Sequence, residues 1–137
     1  MSYTANIRWG WLKFMYIYTV IGAGGFGLGM LFAPRLLQAA FGFPSQDPVV
    51  FGLAGSVYTA FGLTAILGIK SPLKFLPILF LQLLYKSIWL LAVILPLLFT
   101  GQIPGYAIIL LLIFSTYIVG DLIAIPFACV VSDDQDS

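Results

Sequence analysis

The sequence contains no histidine and no glutamate, and its only cysteine is Cys129. Without histidine, no Ser-His-Asp triad, HExxH zinc site or His-ligated haem can be built. Without glutamate, no Glu-based carboxylate pair can form. A single cysteine closes no intrachain disulfide, so redox compartment cannot be read from it. Charge is scarce as well: 8% of residues are charged, against about 25% in a soluble domain. Six Lys/Arg and five Asp cannot cover the water-facing surface of a 137-residue globule. They also cannot supply the clustered basic surface of a nucleic-acid binder. An ordinary cytosolic domain, a disordered chain and a nucleic-acid partner are therefore excluded.

What the sequence has instead is apolar length: 61% of its residues are hydrophobic. A helix that crosses a bilayer needs about 20 apolar residues. Four runs reach that length, at about 11–33, 49–69, 72–99 and 104–131. Pro34 closes the first run. Ser71-Pro72 reads as an N-cap followed by proline at the first helical position, where the missing N–H is harmless. Gly101-Gln102-Ile103-Pro104 reads as a short turn. Short turns imply antiparallel neighbours. The expected fold is all-α, an integral membrane antiparallel four-helix bundle, with residues 1–137 forming one transmembrane domain and 132–137 a polar tail.

The longest connection, 34–48, opens with Arg35-Leu-Leu-Gln-Ala-Ala-Phe41, which has apolar residues at helical spacing. It reads either as a short interfacial helix or as a plain loop. The first run is too long for the apolar core of a signal peptide, and no A-x-A site follows it. Arg8, Lys13, Lys70 and Lys74 fall on one side of the predicted spans and Arg35 alone on the other. The positive-inside rule then puts both termini in the cytoplasm. Tyr3, Trp9 and Trp11 fit an interfacial aromatic belt. Tyr16, Tyr18 and Tyr58 read as packing residues, and Cys129 as structural.

Gly22-Ala-Gly-Gly-Phe-Gly27 fits G-x-G-x-x-G, and Asp47 follows twenty residues after it. A dinucleotide site needs that motif between a strand and a helix, whereas here it sits inside one apolar run. A packing role fits better. Gly25, Gly29 and Ala33 lie four apart, as do Gly52, Ser56, Ala60, Thr64 and Gly68. Such rows form ridges, and small side chains let two helix backbones approach closely. The two ridges are expected to face each other, or one of them to face another chain.

Lys86 and Asp121 stand out because each lies deep in an apolar run. An ionised side chain at the centre of a membrane helix costs roughly 2.5–3.5 kcal/mol on the insertion scale, so each needs an interior partner. Lys86 is about 21 Å along its helix from Pro72, and Asp121 about 15 Å from Val131, which brings them toward one level. Gln82, Lys86 and Trp89 share one helix face, and Tyr117 and Asp121 another. Trp89 could offer its ring to the Lys86 cation. Pro126 should kink the fourth helix. The five residues Gln82, Lys86, Trp89, Tyr117 and Asp121 are the candidate ligand-binding set. Two readings stay open: a structural pair that fixes helix registry, and a ligand or proton site. No metal-ligand set is readable and no cofactor is expected. A membrane enzyme has least support, because no nucleophile–base arrangement accompanies Asp121.

The glycine-rich first run, Phe32-Ala-Pro-Arg-Leu-Leu-Gln-Ala-Ala-Phe-Gly-Phe-Pro44 and Phe51-Gly-Leu-Ala-Gly-Ser-Val-Tyr-Thr-Ala-Phe-Gly62 together resemble the DoxX-like group of small four-helix membrane proteins. Some members are named as the membrane subunit of a thiosulfate–quinone oxidoreductase. The resemblance implies a bacterial inner-membrane protein that is an accessory subunit or works near a quinone. Small loops, no redox ligands and small-residue faces point to a non-catalytic accessory or scaffold subunit, whose partners would be other membrane subunits or a second copy. The alternative is a small binding or transport protein that holds a quinone-like or lipid-like molecule at Lys86 and Asp121.

Overall fold

The computed structural model describes residues 7–131. Tyr3 and the tail 132–137 lie outside them. Helix is the only regular structure among the described residues. Four helices are long and apolar enough to cross a membrane: α1 (Trp9–Phe32), α3 (Pro48–Lys70), α4 (Leu76–Thr100) and α5 (Gly105–Ala124). Two short helices accompany them: α2 (Pro34–Phe41) connects α1 to α3, and α6 (Phe127–Val131) follows α5.

Prolines set most of the boundaries, though not always as expected. Pro34 ends α1 and opens α2, which closes at Gly42 in the left-handed conformation (φ 75°). Of the two readings of this connection, the helix is the one observed. Asp47 caps α3 by accepting from the Val49 N–H at 3.1 Å, with Pro48 in the first turn. The third long helix begins at Leu76 and not at Pro72. A helix from Pro72 would bury Pro77 in its interior, where the ring cannot donate to the Leu73 carbonyl. Starting at Leu76 puts Pro77 in the first turn, where no donor is needed. Residues 72–75 form a turn, and the Pro72 carbonyl accepts from the Tyr16 hydroxyl at 2.6 Å.

Pro126 ends the fourth long helix instead of kinking it. Its ring forces Ile125 into an extended conformation, so α5 stops at Ala124. Arg8 Nη1 donates to the Ile123 carbonyl at 3.1 Å and satisfies one of the acceptors left at that end. At the other end of α4, Gly101 (φ 70°) and Gln102 donate back to Leu98 and Leu97, the Schellman arrangement.

Two of the long helices widen locally to π turns, at Val20–Gly24 in α1 and Leu90–Ile94 in α4. The second precedes Pro96, which lies in the middle of an apolar run; the wider turn accommodates its ring and missing donor.

Helix α1 packs against α3 on one side and α5 on the other, and α5 packs against α4. Helices α3 and α4 meet through rings, Phe61 against Tyr85 at 5.3 Å between centroids. The α1–α3 contact is glycine-lined, but its rows sit one or two residues away from those expected. A Cβ on Gly62 would lie 2.5 Å from Gly24 Cα, and one on Gly27 would lie 2.7 Å from the Gly55 carbonyl. Gly24 and Gly27 therefore face Gly55, Thr59 and Gly62. Gly25 and Gly52 have open space where a Cβ would point, and Gly29 faces Leu37 of α2. Ser56 and Ala60 are exposed, and Thr64 is half-buried. Of the expected row on α3, Gly68 alone is buried, under the Tyr16 ring. One residue is about 100° of helix rotation, enough to move a ridge off its interface.

Candidate functional site

Four polar side chains are buried at the centre of the described structure: Thr19, Gln82, Lys86 and Asp121, each no more than 1% exposed. Leu12, Met15, Leu79 and Leu83 pack around them as an apolar core. Water cannot solvate such groups, so each needs a partner from the protein.

Gln82 supplies most of them. Lys86 Nζ donates to Gln82 Oε1 at 3.0 Å. Gln82 Nε2 donates to Asp121 Oδ2 at 3.2 Å and to Thr19 Oγ1 at 3.1 Å. Thr19 in turn donates to the Met15 carbonyl one turn back, at 2.8 Å. The structure thus links Lys86 to Asp121 through an amide, with no direct hydrogen bond between the two charges. Lys86 and Gln82 are one turn apart on α4, so the link is half intrahelical and half interhelical. Asp121 Oδ1 and the Tyr85 hydroxyl are buried without a hydrogen-bond partner among the described residues.

The Lys86 ammonium sits among ring faces. The Tyr117 centroid lies 3.6 Å from Nζ, that of Phe114 5.0 Å and that of Tyr85 5.3 Å. A cation held over aromatic faces is attracted by their quadrupoles, more so when desolvated. Trp89, on the same face of α4, packs its ring against Phe114 at 5.0 Å instead of covering the cation. Tyr117 is fixed twice. Its hydroxyl donates to the Tyr18 carbonyl at 2.9 Å, just before the π turn of α1, and its ring stacks on Tyr18 at 4.0 Å. Gly22 leaves the room for this, since a Cβ there would strike the Tyr117 hydroxyl.

Beside this cluster lies a partly open cavity of about 360 Å³. Helix α1 contributes Gly22, Gly25 and Phe26 to its wall, and α2 contributes Leu37 and Phe41. Leu110, Ile113 and Phe114 close the α5 side. The polar side chains on the wall are Lys86, Tyr58 and Tyr117. Apolar walls with a few polar handles are the usual make-up of a small-molecule site, and this volume is at the small end of the roughly 300–1,000 Å³ range.

Of the five candidate residues, Lys86 and Tyr117 line the cavity. Gln82 and Asp121 stand behind them as buried supports, and Trp89 is one ring away. Ser56 and Thr59 of α3 do not line it; their hydroxyls donate to carbonyls one turn back. Thr19, Tyr58, Tyr85 and Phe114 belong to the site without having been expected there. Thr19 gives no signal of its own, because a threonine that bonds its own helix is ordinary in an apolar run. Tyr85 and Phe114 had one available clue, since a buried cation attracts rings. No three His, Cys, Asp or Glu side chains converge among the described residues, so none of them builds a metal centre. No family model, curated protein or solved structure matches the chain.

Proposed function

We propose that this chain is an integral membrane protein, an antiparallel four-helix bundle of the bacterial cytoplasmic membrane with both termini cytoplasmic, and that it holds one lipid-like or quinone-like molecule. Four long apolar helices and outward Ile21, Leu53, Leu91 and Val119 side chains support the membrane reading. A single observation carries the binding reading: the buried Lys86 ammonium forms part of the wall of an apolar cavity and has one hydrogen-bond acceptor, Gln82, among the described residues. A purely structural lysine would be expected to meet its carboxylate directly. Here Gln82 stands between the charges, and Lys86 is on the cavity wall with its ammonium beside the Tyr117 ring. The tail of the ligand would lie between α1, α2 and α5, with its head at Lys86.

The test fills the cavity without disturbing the packing. Gly25 lines it, and no atom lies within 4 Å of where its Cβ would be. Protein purified in mild detergent should release a near-stoichiometric amphiphile on solvent extraction, identified by mass spectrometry. The Gly25→Leu variant should fold and release far less. Equal retention by both proteins, or no enrichment over bulk lipid, refutes the binding reading.

A second reading, an accessory or scaffold subunit akin to the DoxX-like group, is favoured by one observation. Gly52, Ser56 and Ala60 of α3 turn outward, a smooth strip on which another helix could pack closely. Stoichiometric partner chains in a native pull-down would favour it.

A further inference from the structure

We infer that the molecule in this cavity is a neutral single-chain amphiphile whose head is a hydrogen-bond-accepting carbonyl oxygen, and that the site rejects the corresponding free acid. The inference rests on the binding reading above and follows from two features of the wall.

The first is its one-sided hydrogen bonding. An ammonium has three donors and no acceptor. Lys86 uses one on Gln82; the other two have no hydrogen-bond acceptor among the described residues and lie beside the rings of Tyr117 and Phe114, which also line the cavity. Tyr58 also lines the cavity, with its ring 6.3 Å from that of Tyr85, and its hydroxyl can serve as a second donor. The third polar side chain, Tyr117, already has its proton on the Tyr18 carbonyl. No Asp, Asn, Gln, Ser or Thr side chain is on the wall. A head made of donors would find few acceptors here, whereas a carbonyl oxygen can take a proton from Lys86 or Tyr58.

The second is charge balance. Lys86 and Asp121 are the only buried charged side chains among the described residues. With both ionised their charges cancel, and with the proton moved from one to the other both are neutral. The sum is zero in either state. A carbonyl head leaves it at zero. A carboxylate adds one negative charge that is compensated only by uptake of a proton from solution, which alkaline buffer opposes; without it the charge stands alone in a low-dielectric interior, which is strongly unfavourable. The other cations, Arg8, Lys13, Arg35, Lys70 and Lys74, are exposed. The cavity's size fits one ring or part of one chain, not a two-chain phospholipid.

The protein carries its own reporter. Trp89 packs on Phe114, a wall residue, while Trp9 and Trp11 are exposed. A Trp9→Phe/Trp11→Phe variant in phosphatidylcholine nanodiscs leaves Trp89 as the only indole. Two quenchers with one tail are compared, dibromostearic acid methyl ester and dibromostearate in alkaline buffer. The ester should quench Trp89 saturably at an about tenfold lower mole fraction than the acid, a preference of roughly 1.4 kcal/mol. Tyr58→Phe, which keeps the ring, should weaken the ester several-fold and leave the acid unchanged. Lys86→Met, if it folds, should weaken the ester several-fold and leave the acid still excluded, because the buried Asp121 then has no cation beside it; Tyr58→Phe serves if it does not. Displacement of the ester by monooleoylglycerol points to an acyl ester as the natural source and by decyl-benzoquinone to a quinone. Either supports the inference, and displacement by neither overturns it. Equal quenching by ester and acid, or tighter binding of the acid, overturns the neutral-head inference and leaves the binding reading intact. No saturable quenching by either refutes the binding reading itself.

Discussion

The same chemical change, glycine to alanine, should have opposite effects at two positions, Gly25 of α1 and Gly62 of α3. At Gly25 a methyl group enters open space. Alanine is favoured over glycine in a helix by about 0.8–1.0 kcal/mol, so Gly25→Ala should stabilise the fold by about that much. At Gly62 the methyl carbon would lie 2.5 Å from Gly24 Cα and 2.9 Å from Gly24 N. Backbone atoms cannot rotate away as a side chain tip can. Ordinary carbon–carbon contact is about 3.5–4.0 Å, so α1 and α3 must part by about 1 Å. That parting also loosens Gly27 against Thr59 and Gly55 against Met30, the rest of the same contact. Overpacking of this kind costs about 1–3 kcal/mol, which outweighs the propensity gain and leaves Gly62→Ala destabilised by about 1 kcal/mol. The two variants should then differ by about 2 kcal/mol. Reversible unfolding in mixed micelles, titrated with dodecyl sulfate and followed by circular dichroism, measures the difference. If Gly62→Ala stabilises as much as Gly25→Ala, the close contact between α1 and α3 is wrong.

The remaining expectations concern the polar cluster and the orientation. Gln82→Leu removes the shared partner of Lys86, Asp121 and Thr19, so it should cost about 3 kcal/mol or more, beyond the usual cost of one unsatisfied group; a loss under about 1 kcal/mol would contradict the network. Lys86→Met and Asp121→Leu should each destabilise, and the double variant should recover part of the loss, because removing both charges leaves neither uncompensated; strictly additive losses count against coupling through Gln82. Tyr16→Phe leaves the Pro72 carbonyl without its donor and should lower stability by about 1–2 kcal/mol in the same titration. Reporter fusions after Lys70 and after Gln102 should report opposite faces, with Lys70 cytoplasmic; one face for both would sink the proposed topology.

The four long helices were legible because apolar length is a signal that needs no partner. Their ends were legible where one proline acted alone, as at Pro34 and Pro48. They were not where two prolines competed: Pro77 overrules Pro72, because only one can occupy a first turn. Pro96 was a visible cue to the π turn in α4, whereas nothing marked the one in α1. Lys86 and Asp121 were legible as members of one buried polar cluster because ionisable groups are rare in such runs. That Gln82 stands between them was not, because spacing gives a face but not the rotation of one helix against another. The glycine rows missed for the same reason, by one or two residues.

A π turn is geometrically an α-helix with one residue too many. The extra residue within Val20–Gly24 changes the phase of everything after it in α1 by about 100°. Tyr16 and Thr19 before the turn, and Gly24 and Gly27 after it, hold their present neighbours only with that offset. Deleting a single residue there would restore a regular helix and turn one half of α1 away from its partners. In a lineage of this chain, a one-residue gap at 20–24 would mark a protein with a different inner surface.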